Sequence, residues 1–141
     1  MGKMKNRVIN VSFDGGCGPY NPGGKMTYAA IISLYNNEKV RLRGSKGSAR
    51  ENSNNVAEYL GLLLALDWLI EHQCCNATIE IKGDSQLVIK QMQGRWRVKR
   101  GRYKDYALNA RTKIKQFSDL ALIWVPREYN GAADAYARNG S

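Results

Sequence analysis

Histidine, cysteine and acidic residues are the scarce components of this chain. Only His72 carries an imidazole among 141 residues, so triads needing a histidine base and zinc sites with two histidines have at most one place to stand. The three cysteines, Cys17, Cys74 and Cys75, are odd in number and two are neighbours. No disulfide framework or C-x-x-C metal knuckle can be drawn from them, and small buried thiols in a reducing compartment are the expectation. The longest apolar run, Leu60–Leu66, stops at Asp67, far too short to span a bilayer. Met1–Phe13 lacks the apolar core of a signal peptide, and Asn6 stands where N-myristoylation needs Ser or Thr. A cytoplasmic protein without membrane contact is expected. Any chemistry must come from carboxylates, hydroxyls and metal ions.

What the chain does have is a globular share of hydrophobic residues, 43%, and the length of one domain, so residues 1–141 read as a single domain. It also has excess positive charge: 22 Lys and Arg against twelve Asp and Glu, a net +10. Residues 82–115 hold eleven of the cations and only Asp84 and Asp105 as acids, a net +9; the remainder is close to neutral. The densest part, Arg95–Lys104, interleaves Arg95, Arg97, Lys99 and Arg100 with Trp96 and Tyr103. Such a run suits a phosphate backbone with sugars or bases beside it, and binding should weaken steeply as ionic strength rises.

The hydropathy pattern predicts the order βββ-α-β-α-α-β-α. Residues 7–13 alternate as a strand and end at Asp14, with a turn segment over Gly15–Gly24. Thr27–Tyr35 and Glu38–Gly44 follow as strands around Asn36-Asn37. A Leu- and Ala-rich helix spans 55–72, a strand Ala77–Lys82, and helices Ser85–Gln93 and Tyr103–Gln116. Leu120–Val125 reads as a strand buried on both faces, and Asn130–Arg138 as a last helix. The first three strands can meander antiparallel, whereas strands reached through helices run parallel, giving a mixed sheet. The glycine-rich turn is no phosphate loop: Pro19 stands where glycine is needed, and Met26 follows Lys25. It is no dinucleotide fingerprint either, since Asn21 replaces the third glycine and a strand follows.

The acids have ordinary readings one by one: Asp14-Gly15 as a turn pair, Asp84-Ser85 as a helix cap, Asn55 and Glu58 at capping-box spacing, Asp134 as a solvated helix residue. Taken together, two of them close strands that can be neighbours. Clustered carboxylates raise one another's pKa values and persist mainly where cations bind; all-oxygen ligation suits Mg²⁺ or Mn²⁺. A basic groove beside such a cluster is what a metal-dependent nuclease needs.

Four blocks carry a specific resemblance: Asp14-Gly-Gly with its turn, Ser53-Asn-Asn-Val-Ala-Glu58-Tyr with its Leu-rich helix, Gly83-Asp84-Ser-Gln-Leu-Val, and Trp124-Val-Pro-Arg-Glu-Tyr-Asn130-Gly-Ala-Ala-Asp134. In order and separation, over residues 7–139, they resemble type 1 ribonuclease H. The resemblance implies an α/β fold of the ribonuclease H-like type. Its five-stranded mixed sheet has the first three strands antiparallel, the last two parallel to the first, and flanking helices. It also implies a monomeric endonuclease that hydrolyses the RNA strand of RNA–DNA hybrids with two Mg²⁺ ions, Mn²⁺ substituting, and leaves 5′-phosphate and 3′-hydroxyl ends. The family's ligand set falls on Asp14, Glu58, Asp84 and Asp134. By the same analogy Asp14 bridges both ions, Glu58 and Asp84 serve the leaving-group side, and Asp134 the side of the attacking water. Asn54, Asn55 and Gln86 match positions that read 2′-hydroxyls in the minor groove, and Asn21 and Ser53 match the surroundings of a DNA phosphate.

Two features depart from the family pattern. The loop Pro126–Gly131 has no histidine, and Arg127 stands in, able to hold a phosphate but not to deliver a proton. The compact run Arg95–Lys104, with Trp96 free to stack or to pack, replaces the longer basic handle, as in the handle-less subgroup. Only seven residues follow Asp134, so a short last helix and weaker metal binding are expected. Three alternatives stay open: additional cleavage of double-stranded RNA, which shares the A-like backbone, a non-catalytic hybrid-binding module, and a domain detached from a reverse transcriptase, which alone would still be a hydrolase.

Overall fold

Residues 7–139 are described by the structure, a computed structural model, without the side chain of residue 139. The first six residues of the Met1–Phe13 stretch, and positions 140 and 141 of the 1–141 domain, lie outside the described residues. The central strand β1 (Val8–Gly18) pairs antiparallel with β2 (Lys25–Ser33), which pairs antiparallel with β3 (Lys39–Lys46). On its other side β1 pairs in parallel with β4 (Thr78–Gly83), and β4 with β5 (Asp119–Trp124). The order is β3-β2-β1-β4-β5, the mixed sheet expected from the sequence.

Helix α1 (Asn54–Glu71) is the centre of the packing. Ten of its eighteen residues are buried, too many for one face, because the sheet covers one side and α3 (Lys104–Ile114) the other. Ile9, Val11, Phe13, Ala30, Ile32 and Ile81 meet Leu62, Leu66 and Leu69 in one core, which Ala107 and Ala110 of α3 close from outside. Short α2 (Gln86–Met92) sits beside β5, and α4 (Gly131–Asn139) packs on β1 and β2. Among the described residues no helix is long and apolar enough to cross a membrane.

Several expectations need correction. β1 does not end at residue 13: Gly15, Gly16, Cys17 and Gly18 continue it, paired with Tyr28, Thr27, Met26 and Lys25, and the turn is confined to Pro19–Gly24. Glycine marks turns when φ must be positive, but here Gly15 serves close approach inside a strand. β5 is an edge strand, with Asp119, Ala121 and Trp124 exposed and Leu120, Leu122 and Ile123 half-buried. Its apolar run covers one side of the core rather than sitting between two layers. The cysteines are free and half-buried, not buried. His72 is exposed and stacks on Trp68.

Two glycines set how near α1 lies to β1. A Cβ on Gly15 would stand 2.2 Å from the Ala57 carbonyl oxygen, and one on Gly61 would stand 2.7 Å from the Asp14 carbonyl oxygen. Neither neighbour is a flexible side-chain tip, so an added methyl must push the helix off the strand. Gly15→Ala is therefore expected to lower stability by roughly 1–3 kcal/mol. Gly16→Ala, where a Cβ meets nothing within 4 Å, should change it by less than about 0.5 kcal/mol. Thermal melts of the two variants check this.

Candidate active site

Four elements each deliver one carboxylate to the same end of the sheet. Parallel pairing of β1 and β4 aligns Ser12 with Lys82, so two residues further Asp14 and Asp84 lie side by side, Asp84 just past the end of β4. Glu58 comes from the second turn of α1, pressed against Gly15 by the close approach described above. Asp134 comes from the first turn of α4. One carboxylate oxygen from each of Asp14, Glu58 and Asp84 lies within 4.8 Å of the others, and the Asp134 carboxylate is near enough to that of Asp14 for the two to shift each other's titration. Asp14, Glu58 and Asp134 line a cleft of about 490 Å³ that is walled by Lys25, Asn54, Arg127 and Arg138.

The electrostatics are those of a cation site. Burial, with the carboxylates of Asp134 and Asp84 beside it, pushes the Asp14 carboxyl up to about 7. Burial and then the charges of Asp14 and Asp84 hold Glu58 well above the usual carboxylate range, opposed by Arg127. Asp134 goes the other way, because Arg138 Nη2 donates to its Oδ2 at 2.8 Å. Glu58 Oε1 is buried with no hydrogen-bond partner, a costly state for a carboxylate oxygen unless a cation completes it. Hard oxygen donors of this kind fit a divalent ion such as Mg²⁺ or Mn²⁺.

Local supports account for the precision. Ser53, not Asn55, is the N-cap of α1, its Oγ accepting from the Val56 N–H at 3.1 Å; Glu58 is thereby freed from the capping-box role and points into the cluster. Ser85 caps α2 in the same way through the Val88 N–H, leaving the Asp84 carboxylate uncommitted to a cap. Asn130, which sequence reasoning did not single out as a site residue, is buried; its Nδ2 donates to Asp84 Oδ2 at 3.0 Å and to the Phe13 carbonyl at 2.9 Å. It ties the start of α4 to β1 and orients Asp84. The signal was available in Asn130-Gly131, but a polar residue before a helix reads first as a cap. Asn52 is a second omission, buried and joining the Gly24 and Gly47 carbonyls through its Nδ2, 2.8 Å each.

The other sequence candidates divide into two groups. Asn21, Ser53, Asn54 and Asn55 cluster at the head of α1: Asn21 Oδ1 accepts from the Asn54 N–H at 2.9 Å, and Asn54 Oδ1 from the Cys17 N–H at 2.8 Å. These bonds clasp the β1–β2 turn to the helix and leave the two Nδ2 groups as free donors. Gln86 opens α2 with its Oε1 accepting from Lys90 Nζ. Arg95, Trp96, Arg97, Lys99 and Arg100 are all exposed on the loop between α2 and α3, which is not itself helical. Trp96 does not pack into the core; Lys90 Nζ stands 4.8 Å from its ring centroid. The loop is nailed to α1 by buried Gln91, which accepts from Tyr59 Oη at 2.6 Å and donates to the Arg97 carbonyl at 3.0 Å. Arg127 lies exposed on a 3₁₀ turn at the cleft wall.

Because the folded chain holds a proton on Asp14 that an unfolded carboxyl at 3.8 has released, the charge cluster destabilises the metal-free fold increasingly between pH 3.8 and about 7. Asp134 is shifted downward, so its opposite contribution changes only below that window. In EDTA the melting temperature should fall by several degrees from pH 5 to pH 8, and Mg²⁺ should restore it at pH 8. A metal-free melt that is flat or rises over this range contradicts the description of the cluster.

Comparison with known proteins agrees with the geometry. A family model described as reverse transcriptase-like matches residues 13–140. The bifunctional protein Rv2228c of Mycobacterium tuberculosis is 35% identical over 132 residues, 93% of this chain but 35% of that protein; the chain thus spans about a third of that relative's length. The solved N-terminal RNase H domain of Rv2228c superposes with a TM-score of 0.82 at 29% identity, covering 95% of this chain and 93% of that one. RNase H1 of the halophilic archaeon Halobacterium salinarum gives 0.78 at 28% identity, covering 95% and 99%. LC11-RNase H1, solved in complex with an RNA/DNA hybrid, gives 0.75 at 30%, covering 89% and 91%. The family model spans most of the chain and these likenesses agree with the strand order, so the chain belongs to the type 1 ribonuclease H family.

Proposed function

We propose that this chain is a metal-dependent endonuclease that hydrolyses the RNA strand of RNA–DNA hybrids. The observation that carries the reading is the trio Asp14, Glu58 and Asp84 with oxygens within 4.8 Å and one of them, Glu58 Oε1, buried and unpartnered. The hybrid seen with LC11-RNase H1 supports the substrate. Residues 1–141 act as one ribonuclease H domain, as a monomer.

Asp14, Glu58, Asp84 and Asp134 would hold two Mg²⁺ ions, with Mn²⁺ as a substitute. Held there, the ions would supply activation of a water and stabilisation of the departing 3′-oxygen, the chemistry that would leave 5′-phosphate and 3′-hydroxyl ends. The chain's own residues do the rest. Asn130 fixes the Asp84 carboxylate, and Arg138 competes for Asp134 until the site is loaded. Arg127 holds negative charge on the phosphate without proton transfer. Asn54 Nδ2, the Asn55 amide and Gln86 Nε2 are donors for the 2′-hydroxyls that separate RNA from DNA. Asn21 Nδ2 and the Ser53 hydroxyl are donors for a DNA phosphate. Arg95, Trp96, Arg97, Lys99 and Arg100 grip the duplex from the loop.

End-labelled RNA–DNA, RNA–RNA and DNA–DNA duplexes, incubated with Mg²⁺, Mn²⁺ or EDTA, test the reading. RNA should be cut in the hybrid only with metal. Asp14→Asn should lower kcat by roughly 10³-fold or more, and Arg127→Ala by roughly 10–100-fold. Cutting of RNA–RNA would widen the substrate. Tight hybrid binding without cleavage under either metal would make the chain a binding module and overturn the enzyme.

A further inference from the structure

Outside residues 82–115 the chain is close to neutral, yet the fold sorts that remaining charge by face. Along β2, buried Met26, Tyr28, Ala30 and Ile32 face α1, so Lys25 and Thr27 face the α4 side. Thr27 pairs with Ser45 and Ala29 with Arg43, which places Ser45 and Arg43 on that side too. Edge strand β3 presents exposed Lys39, Arg41 and Arg43 in one row. At its end Lys25, Thr27, Arg43, Ser45 and Arg138 surround a hollow of about 320 Å³. The hollow adjoins the carboxylate cleft, since Lys25, Thr27 and Arg138 line both. The Arg43 guanidinium is steadied 5.7 Å above the Tyr136 ring centroid. Among the described residues neither Lys25 nor Arg43 forms an ion pair, while Arg138 is engaged by Asp134.

A charged edge strand alone guards against strand-to-strand pairing. That accounts for Lys39 and Arg41, but Lys25 and Arg138 come from β2 and α4 and converge with Arg43 and two hydroxyls on one hollow. Cations with hydroxyls beside them are the donor set of a phosphate site. A free anion could use it, but its continuity with the cleft favours a polymer that passes from one to the other.

We propose that the Lys25–Arg43 hollow is a second phosphate site, holding the backbone of the cleaved strand where it leaves the carboxylate cleft on the face opposite the Arg95–Lys104 loop. The proposal rests on the hybrid-nuclease reading and adds a grip to it: the duplex is held from both faces of the sheet.

The test compares hybrid binding by fluorescence anisotropy, across a salt series, in the Asp14→Asn background and with Lys25→Gln/Arg43→Gln added; both added positions are exposed, and melts check folding. The double variant should bind about five- to tenfold more weakly, with a slope of log Kd against log salt shallower by about one to two; Arg43→Lys should keep most of the affinity. Equal affinity and slope in parent and double variant would overturn the site. Inorganic phosphate that perturbs the Arg43 and Lys25 NMR signals at millimolar concentration, without competing with hybrid, would make the hollow a small-anion site and overturn the strand assignment. The two readings fail separately. Wild-type chain that neither binds nor cuts hybrid sinks the nuclease and this site with it, whereas cleaving wild type beside an unaffected double variant sinks this site alone.

Discussion

Everything at the candidate site depends on how closely helix α1 lies against strand β1. With no side chain at Gly15 and Gly61, backbone meets backbone, and the first turns of α1 rest on the stretch of β1 around Asp14. That contact carries Glu58 to Asp14 and buries it, and burial is the leading cause of the raised pKa values of both. The parallel β1–β4 register then supplies Asp84, and Asn130 draws in α4 with Asp134. The fold concentrates carboxylates that repel one another and leaves one oxygen unpartnered. A core of Leu62, Leu66, Leu69, Ile81 and Phe13 holds that arrangement in place.

Charge is arranged to complement this. The cluster concentrates negative charge in a chain with net charge +10, and cationic ground flanks it. The α2–α3 loop stands on the α1 side, anchored by Gln91 between Tyr59 and Tyr103, and the Lys25–Arg43 hollow on the α4 side. On the proposed reading a polyanion approaching either flank would be guided toward the carboxylates, and bound divalent ions would remove the repulsion that otherwise opposes a phosphate there.

Much of this was legible in the sequence where a period or a spacing carried the physics. The order of elements along the chain, the parallel arrival of β4 and β5, and the possibility that Asp14 and Asp84 close neighbouring strands follow from alternation and from crossover geometry. The four-block resemblance added Glu58 and Asp134. What stayed hidden depends on contacts between distant residues. Gly15–Gly18 reads as a turn because glycines cluster there, and the close approach that Gly15 serves is invisible without the partner helix. β5 reads as doubly buried because an apolar run does not say whether a second layer covers it. Asn130 and Asn52 look like loop amides until their carbonyl partners, far away in the chain, are known. The cations of β2 and β3 look evenly spread along the chain, and only the pairing register gathers Lys25 and Arg43 on one face.

The most direct measurement is diffraction at the manganese edge from crystals of the wild-type chain grown with a non-cleavable hybrid and Mn²⁺. The account expects anomalous peaks among Asp14, Glu58, Asp84 and Asp134 with an RNA phosphate against them. A hybrid seated elsewhere, or ordered hybrid across the cleft with no metal among these carboxylates, would contradict it.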